Sequence, residues 1–168
     1  DAQLNIINNF KSEIEKSSFP TKNILENILA NLYWQYFNQN RWQFYNRTKV
    51  AEVLEAADDD ASRASASKQD FRTWDLQTLF NEIHVHYQKS LENGLMLQLE
   101  PLSNYRVLLN EQKGSQIYRP TLFDFLSYNA LLFYKTDETH ITKPAYKFEI
   151  DNPELLGNAK TFSNLKLA

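Results

Sequence analysis

The apolar positions of this chain recur with a helical period from its first residues to about residue 136. Apolar side chains return every three or four residues in three long segments. These segments cover residues 2–17, 21–46 and 76–91. Thr21 is placed to cap the second segment, and Asp70 or Thr73 to cap the third. The pattern predicts an all-α fold, an irregular antiparallel helical bundle or a short helical array.

Shorter helical patterns occupy the region between residues 94 and 136. Gly94 follows the third segment, where we expect a left-handed residue to end the helix. Pro101 opens a short helix. We expect its inward-facing residues to be Tyr105, Leu108 and Leu109. Thr121 begins a strongly apolar segment, and Asp124 three residues later completes the pattern of a capping box.

Two stretches depart from the helical period and define the expected domain organisation. Residues 58–69 are small, polar and charged, which predicts a mobile loop inside one helical domain of residues 1–140. Residues 145–150 alternate apolar and polar side chains, which is typical of extended backbone. We therefore expect residues 141–168 to form a partly extended tail directed towards a following module.

Composition narrows the class of protein. The 168 residues include 3 glycines and 5 prolines, too few for the many turns of a β-sandwich or barrel. A net charge of −3 offers no basic surface for nucleic acid, and no apolar run is long enough for insertion into a membrane. The absence of cysteine excludes disulfides, thiol nucleophiles and cysteine-based zinc sites.

No pattern of catalytic residues stands out in the sequence. Glu82 and His86 are four apart and could share a metal ion, but the His-Glu-x-x-His pattern is absent, and we favour ordinary hydrogen-bonded histidines for His84 and His86. A nucleophile elbow and a glycine-rich phosphate loop are also absent. We therefore expect a protein that is not an enzyme, without catalytic, cofactor-binding or metal-binding residues.

Aromatic residues are concentrated in residues 33–45, and they allow two interpretations. Their helical spacing favours a place in the core, whereas exposed aromatic rings beside arginines could stack on sugars or peptides. In the second case, the interaction surface would comprise Trp34, Arg41, Trp42, Arg47 and Trp74. We give more weight to the core, and we keep the glycan- or peptide-binding module as an alternative.

Four stretches of the sequence carry more information than its composition: residues 33–48, 70–75, 118–126 and 143–148. In this order, they resemble the N-terminal helical region of Bacteroidetes-type bacterial alpha-2-macroglobulin-like proteins. Members of that family are protease traps built from many β-sandwich modules, and many of them carry a Cys-Gln thioester. This chain lacks cysteine, so the thioester function does not transfer to it.

The resemblance implies a supporting role in a larger protein. The chain would be a non-enzymatic scaffold or interaction domain near the N-terminus of a large protein of the cell envelope, periplasmic or surface-exposed. Its partners would be the following modules of the same polypeptide, and proteases or other envelope proteins that meet the parent protein. No cofactor is implied.

Overall fold

The computed structural model describes residues 2–44, 70–110, 112 and 114–136, and these residues form an all-α helical array. Within these ranges, the α-helices are α1 (Ala2–Lys16), α2 (Thr21–Phe44), α3 (Leu76–Ser90), α4 (Gly94–Leu99) and α5 (Leu122–Tyr134). The same ranges also contain 3-10 helices at Phe71–Thr73, Leu102–Leu108 and Ser115–Ile117. The predicted fold class is confirmed. The loop 58–69 and the tail 141–168 lie outside the described residues.

The main core is formed where α2 packs along α3, with α1 and α5 closing its sides. Its largest fully buried side chains are aromatic, and they come from several elements. They are Tyr33 and Phe37 of α2, Phe71 of the 3-10 turn before α3, Phe80 and Tyr87 of α3, and Phe133 of α5. Burial of each such side chain contributes about 1.5–3 kcal/mol, so the helical aromatic stripe is the principal source of stability.

Helix α2 bends near its C-terminal end. The backbone of Asn40 leaves the helical region (φ −118°, ψ 20°), and its side-chain amide donates a hydrogen bond of 2.9 Å to the carbonyl of Tyr36. Short polar side chains compete in this way with helical hydrogen bonds. The bend lets Phe44 pack back against Tyr36 and Phe37, with ring centroids 5.9 and 5.7 Å apart.

The N-terminus of α3 is capped by Asp75, so the prediction of Asp70 or Thr73 as its cap is wrong. A side-chain oxygen of Asp75 accepts a hydrogen bond of 2.7 Å from the amide of Thr78. Asp70 instead caps the preceding 3-10 turn, where its carboxylate accepts bonds from the backbone and the guanidinium of Arg72. Trp74, between the two caps, is buried in the main core and separates the turn from the helix.

Gly94 does not end α3 in a left-handed conformation, so that prediction is also wrong. Asn93 takes the left-handed conformation (φ 59°), and Gly94 begins α4. A Cβ atom at Gly94 would lie 3.2 Å from the ring of Phe123. Glycine fits at position 94 because α4 approaches α5 closely there. The left-handed conformation falls on Asn93, a residue type that tolerates it.

A second, smaller core lies between α4, α5 and the chain that connects them. Its fully or nearly fully buried residues are Leu97, Leu102, Leu122 and Leu126. An isolated antiparallel β-bridge between Pro101 and Thr121 joins the ends of the connection. Thr121 and Asp124 form the capping box that the sequence predicts at the start of α5.

The short helix after Pro101 is a 3-10 helix, and the prediction for its inward face is wrong at Leu108. Tyr105 has a non-helical backbone (φ −110°, ψ 15°), which interrupts the regular spacing of the residues that follow. Leu102 is buried, and Tyr105 and Leu109 are half-buried, but Leu108 is 71% exposed.

Candidate functional site: an apolar groove beside α5

A groove of about 840 Å³ lies between the outer face of α5 and the chain that connects α4 to α5. We define the groove by Leu108, Ile117, Tyr118, Arg119, Phe125 and Tyr128, all of which line it. Its volume is within the range of sites that bind ligands, about 300–1,000 Å³. The groove is therefore the main candidate site among the described residues.

Helix α5 forms one wall of the groove through two aromatic residues. Its inner face buries Leu122, Leu126, Ala130 and Phe133 in the two cores. Phe125 and Tyr128 are three residues apart and lie on the same side of the helix, so they line the groove together. An amphipathic surface helix would carry polar residues on this outer side. Phe125 is half-buried against the second core, and Tyr128 is 38% exposed, so Tyr128 is the more accessible of the two rings in the groove.

The opposite wall presents apolar side chains to solvent. Ile117 is 80% exposed and Tyr118 is 83% exposed, and both line the same groove as the exposed Leu108. Single exposed apolar residues are common on protein surfaces, whereas a continuous apolar patch marks an interaction site. Here three exposed apolar side chains line one groove together with polar residues such as Asn110 and Gln112, so they form a group and not single exposures.

Arg119 supplies the positive charge of the groove. Its guanidinium carbon lies 3.4 Å from the ring centroid of Tyr128, which is van der Waals contact between the cation and the ring face. Among the described residues that line the groove, Arg119 is the only one with a formal charge. In its described part, the groove therefore combines several apolar side chains with one positioned cation.

A second polar group of interest is buried between α2 and α3, away from the groove. His86 Nδ1 is hydrogen-bonded to a carboxylate oxygen of Glu26, and His86 Nε2 lies 3.5 Å from a carboxylate oxygen of Glu82. Glu26 and His86 are buried, and Glu82 is half-buried. The three residues therefore form an ion-pair cluster that joins α2 and α3.

The charges of this cluster shift the pKa values of its members. Burial alone would lower the pKa of His86, but the hydrogen bonds and charges of Glu26 and Glu82 outweigh it and raise this pKa above its ordinary value. The interaction with His86 lowers the pKa of Glu82, with further help from Lys11 on α1 and from Lys89. The protonated, paired form of His86 is the stabilised one.

The second histidine of the motif has a different environment. His84 Nδ1 lies 2.7 Å from the hydroxyl of Tyr134 on α5, and burial lowers the pKa of His84. The interpretation of His84 and His86 as hydrogen-bonded side chains is confirmed. Within the part of the chain that the structure describes, no group of three or more His, Cys, Asp or Glu residues could hold a metal ion.

Buried asparagines of α2 tie three helices together, and the sequence interpretation missed them. The Asn23 amide donates to the carbonyl of Ser90, the last residue of α3, and to the carbonyl of Glu92 just beyond it, at 3.0 and 2.9 Å. Carbonyls at the end of a helix lack helical partners. Asn27 donates to the hydroxyl of Ser90 and to the carbonyl of Leu126 on α5. Asn23 and Asn27 are four residues apart on one face of α2, which is a signal that the sequence contains.

The residues predicted as an alternative aromatic surface do not come together on the outside of the protein. Trp74 is buried, and Trp34 is half-buried against the rings of Phe37, Phe80 and Phe133. Trp42 is 82% exposed, so its expected burial in the helical stripe is wrong. It follows the bend at Asn40, which turns this part of α2 away from the stripe. Arg41 is half-buried with its guanidinium 5.7 Å from the Phe37 ring, and Arg47 lies outside the described residues.

Comparisons with protein-family models, with curated proteins and with solved structures found no match to this chain. Among the helices of the described ranges, none combines the length and the apolar character needed to cross a membrane.

Proposed function

We propose that this chain is a non-enzymatic scaffold and interaction domain that binds a protein segment in the groove beside α5. The observation that carries the proposal is the group of apolar side chains that line the groove, with Leu108, Ile117 and Tyr118 exposed along one wall. The rest of the array supports the opposite wall, α5: the second core holds its N-terminal half, and the main core holds its C-terminal half.

The free energy gained by covering the apolar side chains of the groove is consistent with moderate affinity for a peptide or a protein loop. Covering a leucine or isoleucine that is now exposed contributes about 1.5–3 kcal/mol per side chain. Tyr118 adds an aromatic residue of the kind that dominates binding energy at interfaces. Because association costs about 4–15 kcal/mol in lost motion, several such side chains have to be covered at once. A groove that presents them together meets this condition.

The parent protein is proposed to be a large envelope-associated protein of the alpha-2-macroglobulin-like kind. The support is the ordered set of four stretches that resemble the N-terminal region of these proteins. One of them, residues 118–126, supplies Tyr118, Arg119 and Phe125 of the groove and the capping box of α5. The partners would then be following modules of the polypeptide, or proteases and other envelope proteins.

The complete reading frame tests the proposed parent. We expect it to encode β-sandwich modules after this region and an export signal before it. A reading frame that encodes neither would contradict the proposed parent and its place in the cell envelope, while the groove would still be open to the binding test below.

A second candidate is the glycan- or peptide-binding module, and the exposure of Trp42 favours it. This residue offers an aromatic ring to solvent beside Arg41. The burial of Trp74 and the packing of Trp34 in the main core weigh against a shared surface of three tryptophans. Replacing Trp42 by Ala separates the two candidates, because Trp42 does not line the groove.

The binding test is a selection of random peptides displayed on phage against the immobilised 168-residue chain. Enriched peptides are then measured by isothermal titration calorimetry against the wild type, Ile117→Ser, Tyr118→Ser and Trp42→Ala. Both groove residues are highly exposed, so their replacement leaves the core intact. We expect each groove substitution to weaken binding about tenfold, which corresponds to about 1.4 kcal/mol, and Trp42→Ala to have no effect.

Two results would contradict the proposal. If no peptide is enriched, the groove does not recognise protein segments. If enriched peptides lose affinity with Trp42→Ala and keep it with Ile117→Ser and Tyr118→Ser, the aromatic-surface candidate replaces the groove.

A further inference from the structure

We infer that the groove selects a partner segment that carries a carboxylate among apolar side chains, and that Arg119 binds this carboxylate. The inference rests on the proposed function and names the chemistry of the partner. It starts from the contact between Arg119 and Tyr128, which neither the helical pattern nor the cores require.

The stacking geometry prepares Arg119 to bind an anion. At 3.4 Å from the ring centroid to the guanidinium carbon, the guanidinium lies with its face against the ring of Tyr128. All five N–H donors of a guanidinium lie in its plane. Stacking therefore uses the face of the group and leaves the donors at its edge, in the fork arrangement that matches a carboxylate.

No acidic side chain among the described residues occupies this fork. Hydrogen bonds and ion pairs to the Arg119 side chain are absent from the described ranges 2–44, 70–110 and 114–136. The other polar groups that line the groove are neutral, among them the amides of Asn110 and Gln112. A carboxylate that enters the groove therefore meets one cation and no competing anion from the described lining.

The residues that line the groove favour a protein segment over a phosphate-bearing ligand. Nucleic acids and phosphorylated ligands are held by several cations or by backbone amides at helix N-termini. Among the lining residues that the structure describes, Arg119 is the one cation, and Leu108, Ile117 and Phe125 line the same groove. A single bidentate arginine among apolar side chains fits an aspartate or glutamate with leucine-like or aromatic neighbours.

The position of Tyr128 makes the charge recognition specific to the groove. Tyr128 lies on the outer side of α5 with Phe125, so the ring that orients Arg119 is itself part of the apolar wall. A partner that covers the wall also removes water from Arg119, which strengthens the pairing with a carboxylate. Apolar contact and charge pairing are therefore expected to depend on each other.

The experiment uses the peptides enriched on the intact 168-residue chain in the phage selection. For one enriched peptide, each acidic residue is replaced in turn by its amide, and affinities are measured by calorimetry. The protein variants are Arg119→Gln, Arg119→Lys and, as a control for net charge, Lys135→Gln. Lys135 is an exposed cation at the C-terminal end of α5 and does not line the groove.

We expect the enriched sequences to contain aspartate or glutamate beside apolar residues. Replacing the critical carboxylate by an amide should weaken binding to the wild type by about tenfold or more, the effect of losing a charged hydrogen bond. The same replacement should have little effect on binding to Arg119→Gln, because the two groups act as a pair. Arg119→Lys should recover part of the affinity, and Lys135→Gln should change nothing.

The outcomes separate this inference from the proposed function. Enriched peptides without acidic residues, or peptides whose amide variants bind the wild type equally well, overturn the role of Arg119 and leave the groove as a binding site. A selection without enriched peptides overturns both. The amide replacements change the peptide alone, so they test the inference even if Arg119→Gln folds poorly.

Discussion

The replacement Asn27→Ala tests whether the buried amides hold the helical array together. The Asn27 side chain is 1% exposed. It donates hydrogen bonds of 3.1 Å to the Ser90 hydroxyl on α3 and to the Leu126 carbonyl on α5. Its oxygen accepts a bond of 2.9 Å from the side-chain amide of Asn129. A fourth bond, of 3.3 Å, reaches the same oxygen from the side-chain amide of Asn31. Alanine at this position removes all four bonds, although the Ser90 hydroxyl keeps its bond to the carbonyl of Tyr87.

The cost of this change follows from these bonds. Each hydrogen bond contributes a net 0.5–1.5 kcal/mol or so, and a buried group left without a partner costs about 1–3 kcal/mol. The higher helix propensity of alanine returns about 0.5 kcal/mol. Asn27→Ala should therefore lower the free energy of unfolding by about 3–4 kcal/mol, a large part of the ~5–15 kcal/mol of a typical domain.

Urea unfolding followed by far-ultraviolet circular dichroism measures this loss. The matched control is Asn38→Ala, the same change at an exposed position of the same helix. The control should be neutral or slightly stabilising, because only helix propensity changes. A loss below about 1 kcal/mol for Asn27→Ala would show that the buried amides contribute little, and the reasoning would fail.

The remaining predictions concern the core, the caps and the ion-pair cluster. Trp74→Ala should destabilise the protein by about 3–5 kcal/mol and Trp42→Ala by less than about 0.5 kcal/mol, as measured by urea unfolding. Equal losses of stability in the two variants would contradict the burial of Trp74 and the exposure of Trp42. Thr121→Ala should cost about 1 kcal/mol through loss of the capping box of α5, while an unchanged urea midpoint would refute the cap. Because the folded pKa of His86 is raised, its contribution to stability is complete below its ordinary pKa of 6.5 and is lost as pH rises through the raised value. The contribution of Glu82, whose pKa is lowered, is complete above its ordinary pKa of 4.5 and is lost as pH falls through the lowered value. The melting temperature, plotted against pH, should therefore pass through a maximum. The variant His86→Gln should remove the decline of the melting temperature on the alkaline side. If that decline persists in the variant, it is not caused by His86.

Much of the fold was predictable because the apolar stripes are local. The helical spacing over residues 24–37 and 76–91 needs no knowledge of distant contacts, and the capping box at Thr121 is complete within four residues. The buried asparagines also have a local signal, a spacing of four from Asn23 to Asn27. Their polarity nevertheless favours the solvent side until their partners on α3 and α5 are known.

The sequence-based predictions fail at positions whose conformation or exposure depends on residues far away in the chain. Gly94 was expected to end a helix, but its size is set by the ring of Phe123 on another helix. Trp42 was expected in the stripe, but the bend at Asn40 places it outside. The groove could not be predicted for the same reason, because the exposure of Ile117 depends on the path of the connection between α4 and α5.

Nuclear magnetic resonance mapping of a selected peptide on the isotopically labelled chain tests the central claim most directly. On titration, we expect the largest shift changes at Ile117, Tyr118 and Tyr128, with the signals of the main core unchanged. This result would place the partner in the groove. Changes centred on the exposed indole of Trp42, with the groove signals unmoved, would contradict the account and support the aromatic surface instead.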